Sequence, residues 1–89
     1  MRQIIWTQHA EERLRQWQKR FNLSESEIEL CVLNPEQVVQ EDDVQVAQSR
    51  YAGGLLRVVY ADVALTRRII TLYWTNQVSR YWIEANYEN

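Results

Sequence analysis

The apolar positions near the start of the chain repeat with the period of an α-helix. Spacings of four, three and four residues separate Ala10, Leu14, Trp17 and Phe21. Such spacing aligns side chains along one side of a helix, as expected where that side is buried. Thr7 offers a hydroxyl for the N-cap, so the pattern predicts a helix from Gln8 to about Arg20. The β-branched and aromatic residues 4–6 suit a short strand before this helix.

The next apolar segment carries the strongest local signal for a helix start. Ser24 and Glu27 stand three residues apart, which is the spacing of a capping box. Leu23 and Ile28 flank it at the positions of a hydrophobic staple. Pro35 should end the helix, because the residue before a proline is disfavoured in the helical region. The predicted buried face of this second helix comprises Ile28, Cys31 and Val32.

Beyond Pro35 the hydrophobic period changes to that of a strand, beginning with Val38 and Val39. A charged turn at residues 41–43 is followed by Ala52-Gly53-Gly54, which predicts a tight hairpin turn because consecutive glycines permit positive φ. A further turn is expected near residues 65–66. The predicted strands are 45–51, 55–63, 68–75 and 78–83, and residues 84–89 are expected to form a frayed tail or a short cap.

The segment 68–75 is the strongest predicted strand. Strict alternation assigns one face to Ile70, Leu72 and Trp74. It assigns the other face to Ile69, Thr71, Tyr73 and Thr75. The whole order is one strand, two helices and a meander of strands. Two helices packed on one face of a mainly antiparallel sheet of about four to five strands would bury both apolar stripes, so we predict an α+β fold.

Composition narrows the class of protein further. The 89 residues form one expected domain, 1–89, because chains divide into several cores only beyond roughly 250 residues. No apolar run approaches the ~20 residues that cross a bilayer, so a cytoplasmic protein without a membrane partner is expected. Cys31 and His9 are each the only residue of their type, which argues against a structural zinc site. We expect Cys31 in the core and no metal or cofactor.

The net charge of −2 is distributed unevenly along the chain. Residues 22–43 hold seven acidic side chains and no lysine or arginine, whereas residues 44–83 hold five arginines and Asp62 as the only acid. A surface that is basic on one side can steer a polyanion toward that side. An ordinary mixed surface is the alternative.

His9 and Arg13 are a candidate catalytic pair. They stand four residues apart at the start of the first predicted helix, so both project from one face. An imidazole titrates near ~6.5 and can move a proton at neutral pH, and an arginine fork can hold a phosphate. Cleavage of RNA without a metal needs both functions. The alternative is that His9 makes a cap-like hydrogen bond while Arg13 pairs with a surface glutamate.

A second candidate set lies on the predicted strands. It comprises Arg57, Thr71, Tyr73 and Arg80. Arginines neutralise phosphate, and tyrosines stack on unpaired bases, as in the recognition of single-stranded RNA. The alternative is that these are ordinary strand residues of a small domain. Alternation does not show which residues of different strands share a face, so both interpretations stay open.

Four segments in a fixed order carry a resemblance that spans residues 3–83. They are His9-Ala10-x-x-Arg13, Leu33-Asn34-Pro35-Glu36, Gly54-Leu55-Leu56-Arg57-Val58-Val59-Tyr60 and Ile69-Ile70-Thr71-Leu72-Tyr73-Trp74-Thr75. Together they resemble an uncharacterised bacterial domain family with small members, grouped with the RelE-like toxins of the barnase/EndoU/colicin/RelE superfamily. The resemblance implies a RelE-like two-helix-plus-sheet fold, ribonuclease activity and an antitoxin partner.

Two hypotheses for the function follow. The first is a metal-independent ribonuclease domain of a toxin–antitoxin system, in which His9 handles the proton and Arg13, with Arg57 or Arg80, holds the phosphate of an RNA substrate. The second is a non-enzymatic protein-interaction domain, such as an inactive toxin relative, that docks through its acidic second helix and an exposed strand edge.

Overall fold

The structure is a computed structural model that describes residues 2–84. Within this part of the chain, strands and helices follow the predicted order as far as residue 75. The elements are β1 (Gln3–Trp6), α1 (Gln8–Trp17), α2 (Glu25–Leu33), β2 (Gln37–Glu41), β3 (Val44–Tyr51), β4 (Gly54–Val63), β5 (Thr66–Thr75) and α3 (Val78–Tyr81). None of the helices in residues 2–84 is both long and apolar enough to span a membrane.

The five strands form one sheet in the order β1-β5-β4-β3-β2. The pairs β2–β3, β3–β4 and β4–β5 are antiparallel, as expected for strands joined by short hairpins. The first strand, β1, lies parallel to β5 at the far edge. The prediction of an α+β fold with a mainly antiparallel sheet is therefore confirmed.

Both long helices pack against one face of this sheet. Ala10 and Leu14 of α1 are buried, and so is Leu23 before α2. Cys31 is also buried, which confirms its prediction as a core residue. The buried cluster comprises Ala10, Leu14, Leu23, Ile28, Cys31, Val32, Ala47, Leu56, Val58, Tyr60, Ile69 and Leu72.

The helix α1 begins as predicted but ends earlier. The Thr7 hydroxyl accepts a hydrogen bond from the Ala10 amide at 3.1 Å, which is the predicted N-cap. The helix stops at Trp17 and not near Arg20, because the amides of Lys19 and Arg20 bond carbonyls only three residues back. Lys19 donates to the Gln16 carbonyl at 3.3 Å and Arg20 to the Trp17 carbonyl at 3.0 Å, which tightens the chain into a turn.

The helix α2 has the capping box that the sequence indicates. The Glu27 amide donates to the Ser24 hydroxyl at 3.2 Å, and the Ser24 amide donates to the Glu27 carboxylate at 2.9 Å. The helix ends at Leu33, and Asn34 leaves the helical region with φ −142° before Pro35.

Two tight turns set the register of the hairpins. Asp42 has φ 52° in the turn between β2 and β3, while Ala52 and Gly53 have φ 52° and 79° in the turn between β3 and β4. Consecutive positive φ values match the right-handed twist of the two strands. The hairpin at Ala52-Gly53 is thus confirmed, with Gly54 as the first residue of β4.

A β-bulge interrupts the alternation in β5. Val59 pairs with Thr71, but the next residue, Tyr60, pairs with Ile69, so Ile70 has no partner in β4. The extra residue turns Ile69 to the helix side, where it is buried in the core together with Leu72. The predicted grouping of Ile69 with Thr71 and of Ile70 with Leu72 is therefore wrong.

The predicted strand at residues 78–83 is also wrong. Residues Val78–Tyr81 form the short helix α3, with the Trp82 amide donating to the Val78 carbonyl at 2.8 Å. The reason lies in the sheet, because β5 already has β4 on one side and β1 on the other. The chain that leaves β5 finds no free neighbouring edge and crosses the sheet instead. Residues 85–89 of the predicted tail lie outside the described residues.

Candidate functional site

Four polar side chains form a row across the sheet on the face opposite to α1 and α2. In adjacent strands, Gln37 pairs with Gln48, Gln48 with Arg57, and Arg57 with Tyr73. Their sequence neighbours Ala47, Leu56, Val58 and Leu72 belong to the core under the helices. Because side chains alternate along a strand, the four polar residues point to the other face. They are called the polar row below.

Arg57 is the centre of the polar row. Only 3% of its surface is exposed. Its Nε donates to Gln48 Oε1 at 2.6 Å, its Nη1 donates to the Tyr73 hydroxyl, and its Nη2 donates to Glu41 Oε2 at 2.8 Å. Each guanidinium nitrogen therefore has an acceptor, as a buried charge requires.

Glu41 connects this buried guanidinium to solvent. It ends β2 and shares the face of Gln37, since the two are four residues apart in one strand. Its side chain is 47% exposed while its carboxylate holds Arg57. The two terminal nitrogens of Arg57 thus lie between a half-exposed carboxylate and the hydroxyl of Tyr73.

Gln48 holds the guanidinium from the neighbouring strand, β3. It is fully buried. Its Oε1 accepts from Arg57, while its Nε2 donates to Gln37 Oε1 at 2.9 Å and to the Tyr81 carbonyl at 3.2 Å. Because both ends of this amide are engaged, Gln48 couples the polar row to the segment that follows β5.

The ring of Tyr81 covers Arg57 from above. The guanidinium carbon lies 4.1 Å from the centroid of that ring and 5.6 Å from the centroid of the Tyr73 ring. Arg80 approaches Tyr81 as well, with its guanidinium carbon 5.3 Å from the ring centroid. Such cation–π contacts stabilise a buried guanidinium without using its hydrogen-bond donors.

The surroundings shift the pKa of two groups in the polar row. Burial opposes the charge of Arg57, but hydrogen bonds to Glu41 and Tyr73 outweigh it and hold the pKa of Arg57 above its ordinary value. Burial raises the pKa of the Tyr73 phenol, and the hydrogen bond from Arg57 only partly offsets this. At neutral pH, Arg57 is charged and Tyr73 retains its proton.

The structure brings the predicted RNA-binding residues together. Arg57 and Tyr73 face each other, and Thr71 precedes Tyr73 by two residues in β5, hence on the same face. Arg80 lies on α3 beside Tyr81. This grouping is geometric, and binding of RNA by these four residues stays a prediction.

The predicted catalytic pair, His9 and Arg13, does not lie with the predicted RNA-binding residues. His9 and Arg13 are exposed on α1, and α1 packs through Ala10 and Leu14 on the opposite face of the sheet. Arg13 donates to Gln16 Oε1 at 3.2 Å, and the N-cap of the helix is Thr7. The prediction that His9 and Arg13 share one site with the arginines of the sheet therefore has no support in the geometry.

Four residues that surround Arg57 were not predicted from the sequence: Gln37, Glu41, Gln48 and Tyr81. For Gln37 and Gln48 a signal was present in the sequence. Counting outward from the two hairpin turns places Gln48 opposite Arg57 and Gln37 opposite Gln48. Tyr81 had no such signal, because its position depends on the path of the chain after β5.

No group of three or more histidine, cysteine, aspartate or glutamate side chains that could hold a metal occurs in residues 2–84. Arg57 lies instead between the Glu41 carboxylate and the Tyr73 hydroxyl, and both groups accept a hydrogen bond from its terminal nitrogens. A guanidinium between a carboxylate and a phenol has the chemistry to bind an oxyanion and exchange protons with it, but the Tyr81 ring covers this one.

Fold and site together define a small α+β domain with an arginine-centred polar row on one sheet face. The chain belongs to the family described as "Domain of unknown function (DUF4258)", whose model matches residues 6–74. No curated protein and no solved structure matches the chain significantly. The prediction of an uncharacterised domain family is confirmed, whereas the likeness to RelE-like toxins stays a prediction.

Proposed function

We propose that this protein binds single-stranded RNA at the polar row and cleaves it without a metal ion, as a RelE-like toxin domain of a toxin–antitoxin system. The observation that carries the proposal is the position of Arg57 between Glu41 and Tyr73. Phosphodiester cleavage needs a cation for the phosphate, a base and an acid, and these three side chains supply one of each.

The proposed reaction is an internal transfer within the RNA. Glu41 accepts the proton of a ribose 2′-hydroxyl, and the 2′-oxygen attacks the adjacent phosphorus. Tyr73 donates its proton to the 5′-oxygen, whose bond to phosphorus breaks. The products are a 2′,3′-cyclic phosphate and a 5′-hydroxyl end. Arg57 stabilises the additional negative charge that the phosphorus oxygens carry in the transition state.

Neighbouring side chains extend the surface for the rest of the strand. Arg50 and Arg80 are exposed on the same side as the polar row, and Thr71 adds a hydroxyl. Exposed arginines bind backbone phosphates in a manner that depends on salt and not on sequence. We therefore expect weak sequence preference and strong weakening of RNA binding by salt.

The test is cleavage of a single-stranded RNA by the purified protein in the presence of a chelator. Glu41→Gln and Tyr73→Phe should each lower the rate by about 10²–10⁴, the usual contribution of a general acid or base. His9→Ala should leave the rate unchanged, because His9 lies on the other side of the sheet. Loss of cleavage in His9→Ala alone would move the site to α1, and absence of cleavage in every protein would refute catalysis.

The toxin–antitoxin context makes a cellular prediction of its own. Expression of this chain alone should arrest growth, and the product of an adjacent gene should restore it by binding the protein. Glu41→Gln should remove the arrest while keeping the complex with that product. Normal growth with an active, folded protein would contradict a toxin role.

A second candidate function is a non-enzymatic interaction domain. It is favoured by Leu30 and Leu33, which are 60% and 56% exposed on α2, and by Val38, 46% exposed on the edge strand β2. Exposed apolar side chains beside an unpaired strand edge are typical of a docking surface. Under this hypothesis, Leu33→Asp should weaken the complex with the adjacent gene product, while Glu41→Gln should have no effect in any cellular assay.

A further inference from the structure

The end of the segment after β5 is fastened across the polar row, and residues 81–84 are called the strap below. The Gln37 amide donates to the Ile83 carbonyl at 2.5 Å and accepts from the Ile83 amide at 3.1 Å. The Gln48 amide holds the Tyr81 carbonyl, and the Arg50 guanidinium carbon lies 4.5 Å from the centroid of the Trp82 ring. The strap is therefore held by side chains of the sheet.

The position of the strap decides whether a phosphate can reach the Arg57 guanidinium. The Tyr81 ring covers the guanidinium, which is why a charged side chain at the sheet surface is only 3% exposed. Glu41 is the half-exposed neighbour of Arg57, and it already accepts a hydrogen bond from Nη2, one of the two terminal nitrogens that a phosphate would contact. A phosphate can bind Arg57 only after the Tyr81 ring has moved aside.

The strap lies outside the residues that the family model matches. The family model matches residues 6–74, which include Glu41, Gln48, Arg57 and Tyr73. Tyr81 and the rest of the strap follow that match. The residues proposed for chemistry and the residues that cover them thus belong to different parts of the chain.

We propose that the strap is an autoinhibitory cover, which single-stranded RNA must displace to reach Arg57. This regulation rests on the proposed function, since it concerns the same site. The contacts of the strap suit a reversible cover, because they are a few hydrogen bonds and the aromatic contacts of Tyr81 and Trp82, each of modest strength. Displacing the strap also frees Arg50 from Trp82 for a phosphate.

Labelling of arginine with phenylglyoxal tests the cover without any RNA. The full-length protein is treated briefly, and modification of Arg57 is quantified by peptide mass spectrometry. Arg57 should react slowly in the natural protein. In Trp82→Ala and in Gln37→Ala it should react roughly tenfold faster, because loss of a stacking contact or of the Ile83 hydrogen bonds favours opening by about 1.4 kcal/mol.

Gln40→Ala is the matched control for Gln37→Ala. Both glutamines lie on β2, but Gln40 lies on the helix side and its amide donates to the Asp42 carbonyl. The control should label at the natural rate. Trp82→Ala and Gln37→Ala, which both loosen the strap and are called the strap variants here, guard against misfolding of either one, and circular dichroism identifies a variant that has unfolded. Unchanged labelling of Arg57 in folded strap variants would refute the cover.

A second measurement links the cover to RNA. Amide hydrogen exchange at Ile83 should accelerate when the natural protein binds a short single-stranded RNA, and Trp82→Ala should bind that RNA several-fold more tightly. RNA that binds without faster exchange at Ile83 would refute displacement of the strap. Faster labelling of Arg57 in the strap variants without RNA binding by any protein would support the cover and refute the proposed function.

Discussion

Arg57 shows how a charged side chain can be buried in a sheet of this size. Removing a guanidinium from water costs several kcal/mol, and the cost is offset only when its hydrogen bonds are satisfied in good geometry. The planar fork of arginine reaches Gln48, Tyr73 and Glu41 in three directions at once. A lysine carries the same charge on a single nitrogen and lacks this geometry.

Replacement of Arg57 by lysine should therefore destabilise the fold although the charge is kept. We expect Arg57→Lys to lower the free energy of unfolding by about 2 kcal/mol, because at least one buried acceptor loses its donor. Denaturation with urea gives the value. Arg68→Lys on β5 is the control, since Arg68 is exposed, and it should change stability by less than about 0.5 kcal/mol. Equal effects in both variants would contradict the structural role of the fork.

At the scale of the elements, the features that the sequence predicts correctly are those with local signals. The capping box at Ser24 and the hairpin turn at Ala52-Gly53 are encoded by residues that stand next to one another, so the sequence predicts them well. The bulge at Ile70 has no local signal. Without it, Arg57 would face Leu72 and not Tyr73, because the register of β4 and β5 would shift by one residue.

The capping box should contribute measurably to the free energy of unfolding. Ser24→Ala should lower the free energy of unfolding by about 1 kcal/mol, because the Glu27 amide loses its acceptor at the start of α2. Ser26→Ala is the matched control, an exposed serine within the same helix. It should be neutral or slightly stabilising, since alanine favours helices. A Ser24→Ala protein as stable as the control would show that the cap is dispensable.

The β4–β5 hairpin is fastened by an ion pair that depends on pH. Arg67 donates hydrogen bonds of 2.8 and 2.9 Å to the Asp62 carboxylate, and these hold the pKa of Asp62 below its ordinary value of 3.8. Partial burial opposes this shift, and the charges of Arg67 and Arg2 add to it. Arg67 also donates to the Val32 carbonyl, which connects this hairpin to α2. Because the pKa of Asp62 is lower in the folded than in the unfolded protein, the ion pair stabilises the fold fully at pH values above the ordinary pKa. This stabilisation is lost as the pH falls through the pKa of the folded state.

Asp62→Asn should isolate that contribution. Near neutral pH the variant should be less stable by about 0.5–1 kcal/mol, the value of a partly exposed ion pair. As the pH falls below 3.8 and through the lowered folded-state pKa, the natural aspartate takes up a proton, so the difference between the two proteins should shrink toward pH 2. Urea titrations of both proteins at the two pH values measure the difference. A difference that persists undiminished at low pH would contradict the assigned cause.

At the scale of the whole molecule, the two candidate sites predicted from sequence lie on opposite faces of one sheet. Residue type and spacing made Arg57 and Tyr73 candidates for RNA binding and His9 and Arg13 candidates for catalysis. Periodicity along one element, however, cannot show how a helix and a strand face each other. That relation depends on which sheet face the helices cover. The strap was missed for the same reason, because its path follows from the occupied edges of β5.

Nuclear magnetic resonance tests most directly whether RNA binds at the polar row. The labelled protein is titrated with a short single-stranded RNA while the backbone amide signals are followed. The largest shifts should occur at Gln48, Arg57 and Tyr73 and in the strap. Shifts confined to His9 and Arg13 on α1, or no shifts at saturating RNA, would contradict the account.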